Sequence, residues 1–458
     1  MGINRRDFIR SVAGVSGAAL AGAATSCGTQ IDTVNPMLPS PDVSGIEHIV
    51  VVMMENRSFD HLLGWMPNAN GSQAGLQYTD KSGITHATYR LTTFAGCSYA
   101  DPDHSYSGGR SEYNAGKMDA WLRTGTNDTF SIGYYEEADL PLFSTLARNY
   151  TTLCNYFPSI MSSTFPNRFF QHSAQTDRLD NSLFLSTLPT IWDRLQSAGI
   201  SCKYYFSNVP FLALWGLKYV GISASHSEFL THAANGTLPA VSFVDPWFTT
   251  FDEGNDDHPF ADLRNGEIFL RQVVEALANG PDWSKTVLII NRDEWGGFFD
   301  HVVPPRATAA NAVDTDIVDG KTLLGCRVPV LVISPFSKGN PGNPRINSLT
   351  YDHTSVLKLI EWRWQLQPLT PRDSSNDIAN LALALDFSNP DTSLPALPVI
   401  TPPAKLCSDD EAVPTIGDQA MSLTRGEPAK RVDNESLAFY LLLKSELMNG
   451  WLIPAGIR

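Results

Sequence analysis

Oxygen-bearing side chains directly follow two short apolar stretches that lie far apart in the sequence. The stretches are residues 49–54 and 287–290, and the polar residues that follow them are Glu55, Asn56, Asp293 and Glu294. Carboxylate and amide oxygens are ligands of hard or borderline cations. If both stretches are buried strands of one sheet, their carboxyl ends could bring these four side chains around one divalent metal ion. Taken singly, each stretch could also be a strand followed by a polar turn. Glu55 could then be an acid in the first turn of a helix, and Asn56 could cap that helix.

A candidate nucleophile lies in residues 164–168, TFPNR. A proline two residues after Thr164, and Arg168 two residues further, would hold a hydroxyl in a stiff turn beside a guanidinium that can clamp phosphate oxygens. A threonine hydroxyl is a poor nucleophile unless a base or metal activates it. The cation predicted above could stabilise the alkoxide and polarise a phosphoryl oxygen. Ser162 and Ser163 are hydroxyl residues too, so the register stays open, although the proline spacing favours Thr164.

Four histidines stand beside acidic or turn-forming residues: His104, His258, His301 and His353. A histidine could protonate the departing alkoxide. Any one of them is more often a structural, hydrogen-bonding residue. Four such histidines alongside the motifs above predict at least two functional roles.

Apolar periodicity predicts strands that alternate with helices. The predicted strands are residues 46–54, 201–206, 241–244, 287–290 and 328–334, and the predicted helices are residues 143–150, 191–199, 266–279, 351–364 and 434–451. Residues 68–114 are rich in Gly, Ser, Asp and Tyr, which predicts a long loop region over the site. This alternation favours an α/β fold, with a three-layer α/β/α core and a central, largely parallel sheet.

The composition is that of a globular protein, with 43% hydrophobic residues in 458 and a formal net charge of −15. So acidic a chain is unsuited to binding nucleic acid through a basic face. The six cysteines include no CxxC pair or other zinc-ligand spacing. We divide the chain into an export signal (1–27), a linker (28–44), a catalytic domain (45–406) and a C-terminal extension (407–458) whose helix packs on the core.

The amino terminus has the pattern of a twin-arginine export signal. Arg5 and Arg6 precede a mildly apolar, Ala- and Gly-rich run at residues 11–25. We therefore expect the twin-arginine export machinery as a partner and a periplasmic or secreted location. Residues 24–27 partly match a lipoprotein cleavage box, so lipid attachment at Cys27 stays open.

Four ordered motifs resemble the phosphoesterase family of bacterial phospholipases C, which also includes plant non-specific phospholipases C and certain bacterial acid phosphatases. The motifs are ENRSFDH at 55–61, TFPNR at 164–168, DEWGGFFDH at 293–301 and DHTS at 352–355. The resemblance spans about residues 46–365. It implies an alkaline-phosphatase-like α/β fold and hydrolysis through a covalent phospho-enzyme. By motif match, the metal ligands would be Glu55, Asn56, Asp293, Glu294 and the nucleophile Thr164.

The resemblance also implies roles for the other polar residues. His104, His258 and His353 would bind phosphate or protonate the leaving group, beside Arg168. We assign Asn167 and His301 to substrate binding, and His301 would also support the acidic turn. Phe165 stands where the family often has asparagine.

We therefore expect a metal-dependent phosphoric-ester hydrolase. The leading hypothesis is phospholipase C-type cleavage of a phospholipid to diacylglycerol and a phosphorylated head group through a phosphothreonine, with contact to a membrane surface. An acid phosphatase acting on phosphomonoesters is the first alternative, and a non-catalytic exported binding protein of the same fold is the second. Because all the predicted ligand atoms are oxygens, the metal ion could be Ca²⁺, Mg²⁺, Mn²⁺ or Zn²⁺.

Overall fold

The computed structural model describes residues 38–96, 98–250, 254–403 and 434–453. The predicted export signal and most of the predicted linker lie outside the described residues. Within those four ranges, none of the helices has the length and apolar character needed to cross a membrane.

A sheet of eight strands forms the centre of the molecule. The strands of the chain are β1 (His48–Met54), β2 (Gln77–Thr79), β3 (Thr85–Ala87), β4 (Tyr89–Arg90), β5 (Gly133–Tyr134), β6 (Thr151–Leu153), β7 (Cys202–Phe206), β8 (Ser223–Ser225), β9 (Val241–Val244), β10 (Thr286–Arg292), β11 (Arg306–Thr308), β12 (Lys321–Leu323), β13 (Val330–Ile333) and β14 (Ile346–Asn347). The order in the central sheet is β14-β6-β13-β10-β1-β9-β7-β8. Strands β10, β1, β9, β7 and β8 are parallel, which confirms the predicted, largely parallel sheet.

Helices cover both faces of this sheet. They are α1 (Phe59–Leu63), α2 (Tyr106–Tyr113), α3 (Pro141–Asn149), α4 (Thr164–Ser173), α5 (Ile191–Ser197), α6 (His226–Asn235), α7 (Leu263–Ala278), α8 (His353–Trp364), α9 (Pro371–Ser374) and α10 (Asn434–Lys444). Single 3₁₀ turns include Phe211–Trp215 and Glu446–Met448. Helices α4, α5, α8 and α10 share one core with the sheet, and α3, α6 and α7 share the other. The predicted three-layer α/β/α architecture is thereby confirmed.

The central strand β1 shows why this arrangement is stable. Ile49 and Val51 pack into one core, and Val50 and Val52 pack into the other, because successive side chains of a strand point to opposite faces. All four are at most 1% exposed, and burying each such side chain is worth about 1.5–3 kcal/mol. The strand therefore has a single favourable register, which fixes where Glu55 emerges.

Two predictions, the loop at residues 68–114 and the end of the last helix, need correction, and one strand of the largely parallel sheet is antiparallel. Residues 68–114 are not only loop, since they contain the β2–β3 hairpin and α2. Strand β13 runs antiparallel to β10, because the intervening chain lacks the crossover helix that a parallel return requires. The last helix ends at Lys444 rather than near residue 451, because Ser445 is extended (φ −77°, ψ 163°).

Candidate active site

Three adjacent parallel strands each end in a carboxylate, and all three carboxylates contact Arg168. Glu55 follows β1, Asp245 follows β9 and Asp293 follows β10. The Arg168 guanidinium donates from Nη2 to Glu55 Oε1 at 2.7 Å, from Nη1 to Asp245 Oδ1 at 3.2 Å and from Nε to Asp293 Oδ2 at 3.2 Å. Burial opposes the charge on Arg168, but the negative charges of Glu55, Asp293 and Asp245 outweigh it and raise the pKa of Arg168.

Helix α4 brings the candidate nucleophile to the same place. Thr164 is its first residue, and Arg168 lies four residues later on the same face. The hydroxyl Oγ1 of Thr164 donates to Glu55 Oε2 at 3.5 Å. Ser162 instead donates to the carbonyl of Leu179 at 2.6 Å. Of these two hydroxyls, only that of Thr164 therefore has a contact to the carboxylate group around Arg168.

Glu294 extends the group of carboxylates, and a sharp turn shapes its surroundings. Its Oε2 accepts the N–H of Gly296 at 2.6 Å. Gly296 and Gly297 both have left-handed backbones (φ 63° and 67°). A Cβ on Gly296 would lie 2.3 Å from the carbonyl oxygen of Asn56. This turn thus requires glycine, and it holds the buried Asn56 against the Glu294 segment.

His104 lies on the open side of this group. Its Nε2 is 3.7 Å from Glu294 Oε1, and its Nδ1 donates to the carbonyl of Pro102 at 2.8 Å. His104 and Ser163 line a cavity of about 620 Å³ that opens to solvent. His104 thus lies between a candidate metal ligand, Glu294, and a cavity that a substrate could enter.

His353 and His258 are more deeply enclosed. His353 Nε2 donates to the backbone carbonyl of Asp293 at 2.7 Å, and its Nδ1 accepts from the Tyr156 hydroxyl at 3.1 Å. Burial lowers the pKa of His353 to about 4, so it is neutral at pH 7. His258 is 1% exposed, and its Nδ1 accepts the N–H of Phe260 at 3.3 Å.

Asn167 contacts the backbone around the nucleophile. Its amide donates to the carbonyls of Ser162 and Ser163 at 2.8 and 3.1 Å, and its oxygen accepts the N–H of Ile160 at 3.2 Å. It is completely buried. These contacts place Asn167 under the turn that leads into Thr164.

His301 belongs to a second charged cluster. Its Nδ1 contacts Asp60 Oδ2 at 2.5 Å and its Nε2 contacts Asn70 Oδ1 at 3.1 Å. Asp60, Asp300 and His301 offer ligand atoms within 4.8 Å of one another, so they could hold a metal ion. However, the buried Arg327 already contacts Asp300 at 2.9 Å and Asp60 at 3.2 Å. An ion here would have to compete with that guanidinium.

The sequence analysis did not identify Asp245 as a site residue. Its second oxygen accepts the Tyr204 hydroxyl, and Phe248, three residues later, lies under Arg168 with 4.5 Å between guanidinium carbon and ring centre. The signal was present, since Asp245 directly follows the predicted strand 241–244 as Glu55 follows residues 49–54. An acid at a strand end is common, so this pattern indicates a site residue only once the strands are known to be neighbours.

Comparison with known proteins identifies the family. The sequence profile of the phosphoesterase family matches residues 46–367. The chain belongs to the phosphoesterase family. It is 30% identical to phospholipase C A of Mycobacterium tuberculosis, over 91% of this chain and 94% of that protein. It is 32% identical to non-specific phospholipase C6 of Arabidopsis thaliana, over 72% and 71% of the two chains. This phosphoesterase is therefore a hydrolase acting on phosphoric ester bonds.

Among solved structures, a protein of the alkaline phosphatase superfamily from Vibrio parahaemolyticus aligns with 77% of this chain and 75% of its own, at 9% identity and a TM-score of 0.35. That likeness is too low to bear on the activity of this phosphoesterase.

Proposed function

We propose that this phosphoesterase is a phospholipase C-type phosphodiesterase that releases diacylglycerol and a phosphorylated head group through a phosphothreonine at Thr164. The observation that carries the proposal is the convergence of Thr164, Glu55 and Asp293 at the carboxyl edge of the sheet. The family membership supports it, because phospholipase C A aligns over 94% of its length.

The donor set fits a divalent cation. Glu55, Asp293 and Glu294 are completely buried, and Arg168 is shared between Glu55, Asp293 and Asp245. Four buried carboxylates beside one guanidinium leave negative charge that a hard cation would compensate. We propose Glu55, Asn56, Asp293, Glu294 and Thr164 as its ligands. When bound, such an ion supplies Lewis-acid stabilisation of the developing charge.

The residues of the chain itself account for the proton transfers. Thr164 Oγ1 forms a bond to phosphorus, and the bond from phosphorus to the glycerol oxygen breaks. Glu55 Oε2, at 3.5 Å, accepts the Thr164 proton. His104, at the cavity, donates a proton to the glycerol oxygen. Water then attacks phosphorus and gives a proton to His104, while the bond from phosphorus to Thr164 Oγ1 breaks and Oγ1 takes its proton back from Glu55, which restores the hydroxyl and releases the phosphorylated head group.

The other predicted site residues take supporting roles in this proposal. Arg168 contacts three carboxylates and orients them, rather than clamping phosphate. His353 holds the Asp293 carbonyl, and Asn167 holds the turn before Thr164. His258 stays a candidate for phosphate binding. His301 supports the acidic turn from the second cluster.

Hydrolysis of p-nitrophenylphosphorylcholine and of p-nitrophenyl phosphate, each with and without chelator, tests the activity. We expect diester cleavage that chelator abolishes, that Thr164→Ala lowers by at least about 10³-fold and that Thr164→Ser partly keeps. Monoester cleavage alone, with the same losses, would instead support an acid phosphatase. Full diester activity in Thr164→Ala would overturn the nucleophile. Hydrolysis of neither ester would favour the binding protein.

We also propose export through the twin-arginine route, from the Arg5–Arg6 pattern. Replacing both arginines with lysine should leave the protein in the cytoplasmic fraction. Continued export of that variant would contradict the route, and metabolic labelling with palmitate in wild type and Cys27→Ser would decide whether Cys27 carries lipid.

A further inference from the structure

The last described helix, α10, packs on aromatic rings next to Arg168 and Thr164. Phe439 is 1% exposed and stacks on Phe248, with 3.9 Å between ring centres and 11° between ring planes. It also meets the edge of Phe165, with 5.3 Å between ring centres. Phe248 lies under the Arg168 guanidinium, and Phe165 follows Thr164 directly in α4. The helix therefore contacts the two aromatic rings that lie next to the proposed nucleophile and its arginine.

A second face of α10 is apolar and, in the described part of the chain, lines a cavity rather than packing into the core. Leu437 and Leu441, four residues apart, lie on one side of the helix and line the cavity of about 620 Å³ together with Ala438. Leu441 is 45% exposed. The buried face already holds Phe439, Leu442 and Leu443. Packing thus accounts for one face of the helix and leaves the face at the cavity unexplained.

The cavity is lined by residues of two kinds. Leu437, Leu441 and Leu183 are apolar, whereas Asp103 and Asp180 are acidic. His104 and Ser163 line the same cavity, and Ser163 immediately precedes Thr164. A ligand that fills this space while its phosphate reaches Thr164 must be amphiphilic.

We propose that Leu437 and Leu441 bind the acyl chains of a phospholipid next to the scissile bond, so that α10 determines the preference for lipid over soluble phosphodiesters. The inference rests on the proposed phospholipase C activity and adds the residues that recognise its lipid. Removing acyl–leucine contacts should weaken lipid turnover selectively, because two acyl chains present far more apolar surface to these leucines than a p-nitrophenyl ring does.

The test compares two phosphodiesters that share a phosphocholine head group: phosphatidylcholine in detergent mixed micelles, and p-nitrophenylphosphorylcholine. For the double variant Leu437→Gln/Leu441→Gln, we expect the ratio of kcat/KM values, lipid over soluble, to fall about tenfold. The conservative variant Leu437→Met/Leu441→Met should have nearly the wild-type ratio, because methionine keeps an apolar side chain at both positions. Val43→Gln is the matched control and should keep the wild-type ratio, because Val43 is an exposed apolar residue (74% exposed) that does not line the cavity.

The outcomes separate this inference from the proposed function. An unchanged ratio in the double variant would overturn the lipid-binding role, whether both activities are kept or fall equally. A rise in both activities would also overturn it, because α10 would then obstruct the cavity. If Thr164→Ala keeps full activity on both substrates, the proposed mechanism fails, whatever the leucine variants do.

Discussion

Arg168 and Arg327 are both buried among carboxylates, yet the two arginines use their hydrogen bonds differently. Arg327 donates from Nε and Nη2 to the two oxygens of Asp300, at 2.9 and 3.1 Å, and from Nη2 to Asp60 at 3.2 Å. Its Nη1 donates to the backbone carbonyls of Asn70 and Cys154. Two carboxylates thus face one arginine and a neighbouring histidine, and the charges nearly balance.

Arg168 instead makes one side-chain ion pair with each of three carboxylates. The second oxygen of each is directed elsewhere, for example Glu55 Oε2 to Thr164 and Asp293 Oδ1 to the N–H of Glu294. The negative charge therefore exceeds the positive charge next to a hydroxyl. The difference teaches that similar residue types can form a cluster whose charges nearly balance, as around Arg327, or a cluster with excess negative charge that could hold a cation, as around Arg168.

The largest expected effect distinguishes the two clusters by metal content. Asp293→Asn should abolish binding of the proposed divalent ion and lower phosphodiester hydrolysis by at least about 10³-fold, which corresponds to about 4 kcal/mol of transition-state stabilisation. Elemental analysis of the purified protein gives the metal content, and initial rates give the activity.

Asp300→Asn is the matched control in the second cluster, because Asp300 is equally buried and also pairs with an arginine. We expect it to keep its metal and to lose stability instead. If Asp300→Asn loses the ion and Asp293→Asn keeps it, the metal site is Asp60, Asp300 and His301, and our ligand assignment is wrong.

Two acids of the candidate active site could be found from the sequence because each directly follows a strand in the chain. Glu55 and Asp293 follow runs of buried, β-branched residues, and parallel strands deliver their carboxyl ends to one edge of the sheet. The motif spacing also predicted Thr164 and Arg168 as site residues, and both contact Glu55 in the structure. The strand order is a property of the whole fold, however, so the role of Asp245 at the end of the next strand became visible only in the structure.

The partners of the basic residues could not be predicted in the same way. Nothing near Arg168 in sequence indicates that three acids from three strands surround it, since those acids lie 77, 113 and 125 residues away. Likewise, His301 lies one residue from Asp300 in a motif of the site, but the backbone turn directs it toward Asp60 and Asn70. Sequence patterns locate such residues, whereas packing decides which groups they contact.

Arg327→Met tests the balanced cluster directly. It would leave Asp60 and Asp300, both completely buried, without their guanidinium, and we expect the free energy of unfolding to fall by about 3–5 kcal/mol. Urea denaturation followed by circular dichroism measures this loss. Adding Asp60→Asn and Asp300→Asn should recover part of the stability, because both uncompensated charges are then gone. Equal stability of the single and triple variants would contradict an ion-pair role.

Tyr204→Phe should have a smaller effect, on the Arg168 side. The Tyr204 hydroxyl donates to Asp245 and accepts the N–H of Phe211 at 2.8 Å. Its loss leaves two buried polar groups without that partner and should cost about 2 kcal/mol of unfolding free energy. We expect metal content to stay unchanged, because Asp245 is not among the proposed ligands. Loss of the ion in this variant would place Asp245 in the ligand set.

The smallest expected effect is a pH dependence of the balanced cluster. Burial alone lowers the pKa of His301, but its hydrogen bond to Asp60 and the charges of Asp60 and Asp300 raise it overall, against a smaller opposing effect of Arg327. A raised pKa means that the folded state holds the proton more tightly, so this stabilisation is complete below the unfolded pKa of about 6.5 and is lost as pH rises through the folded pKa. His301→Gln should therefore reduce the unfolding free energy by about 1–2 kcal/mol at pH 6 and by less at pH 9. A deficit that stays constant between these pH values in urea denaturation would mean that His301 stabilises the cluster as a neutral hydrogen-bonding group, and that Arg327 alone balances the two carboxylates.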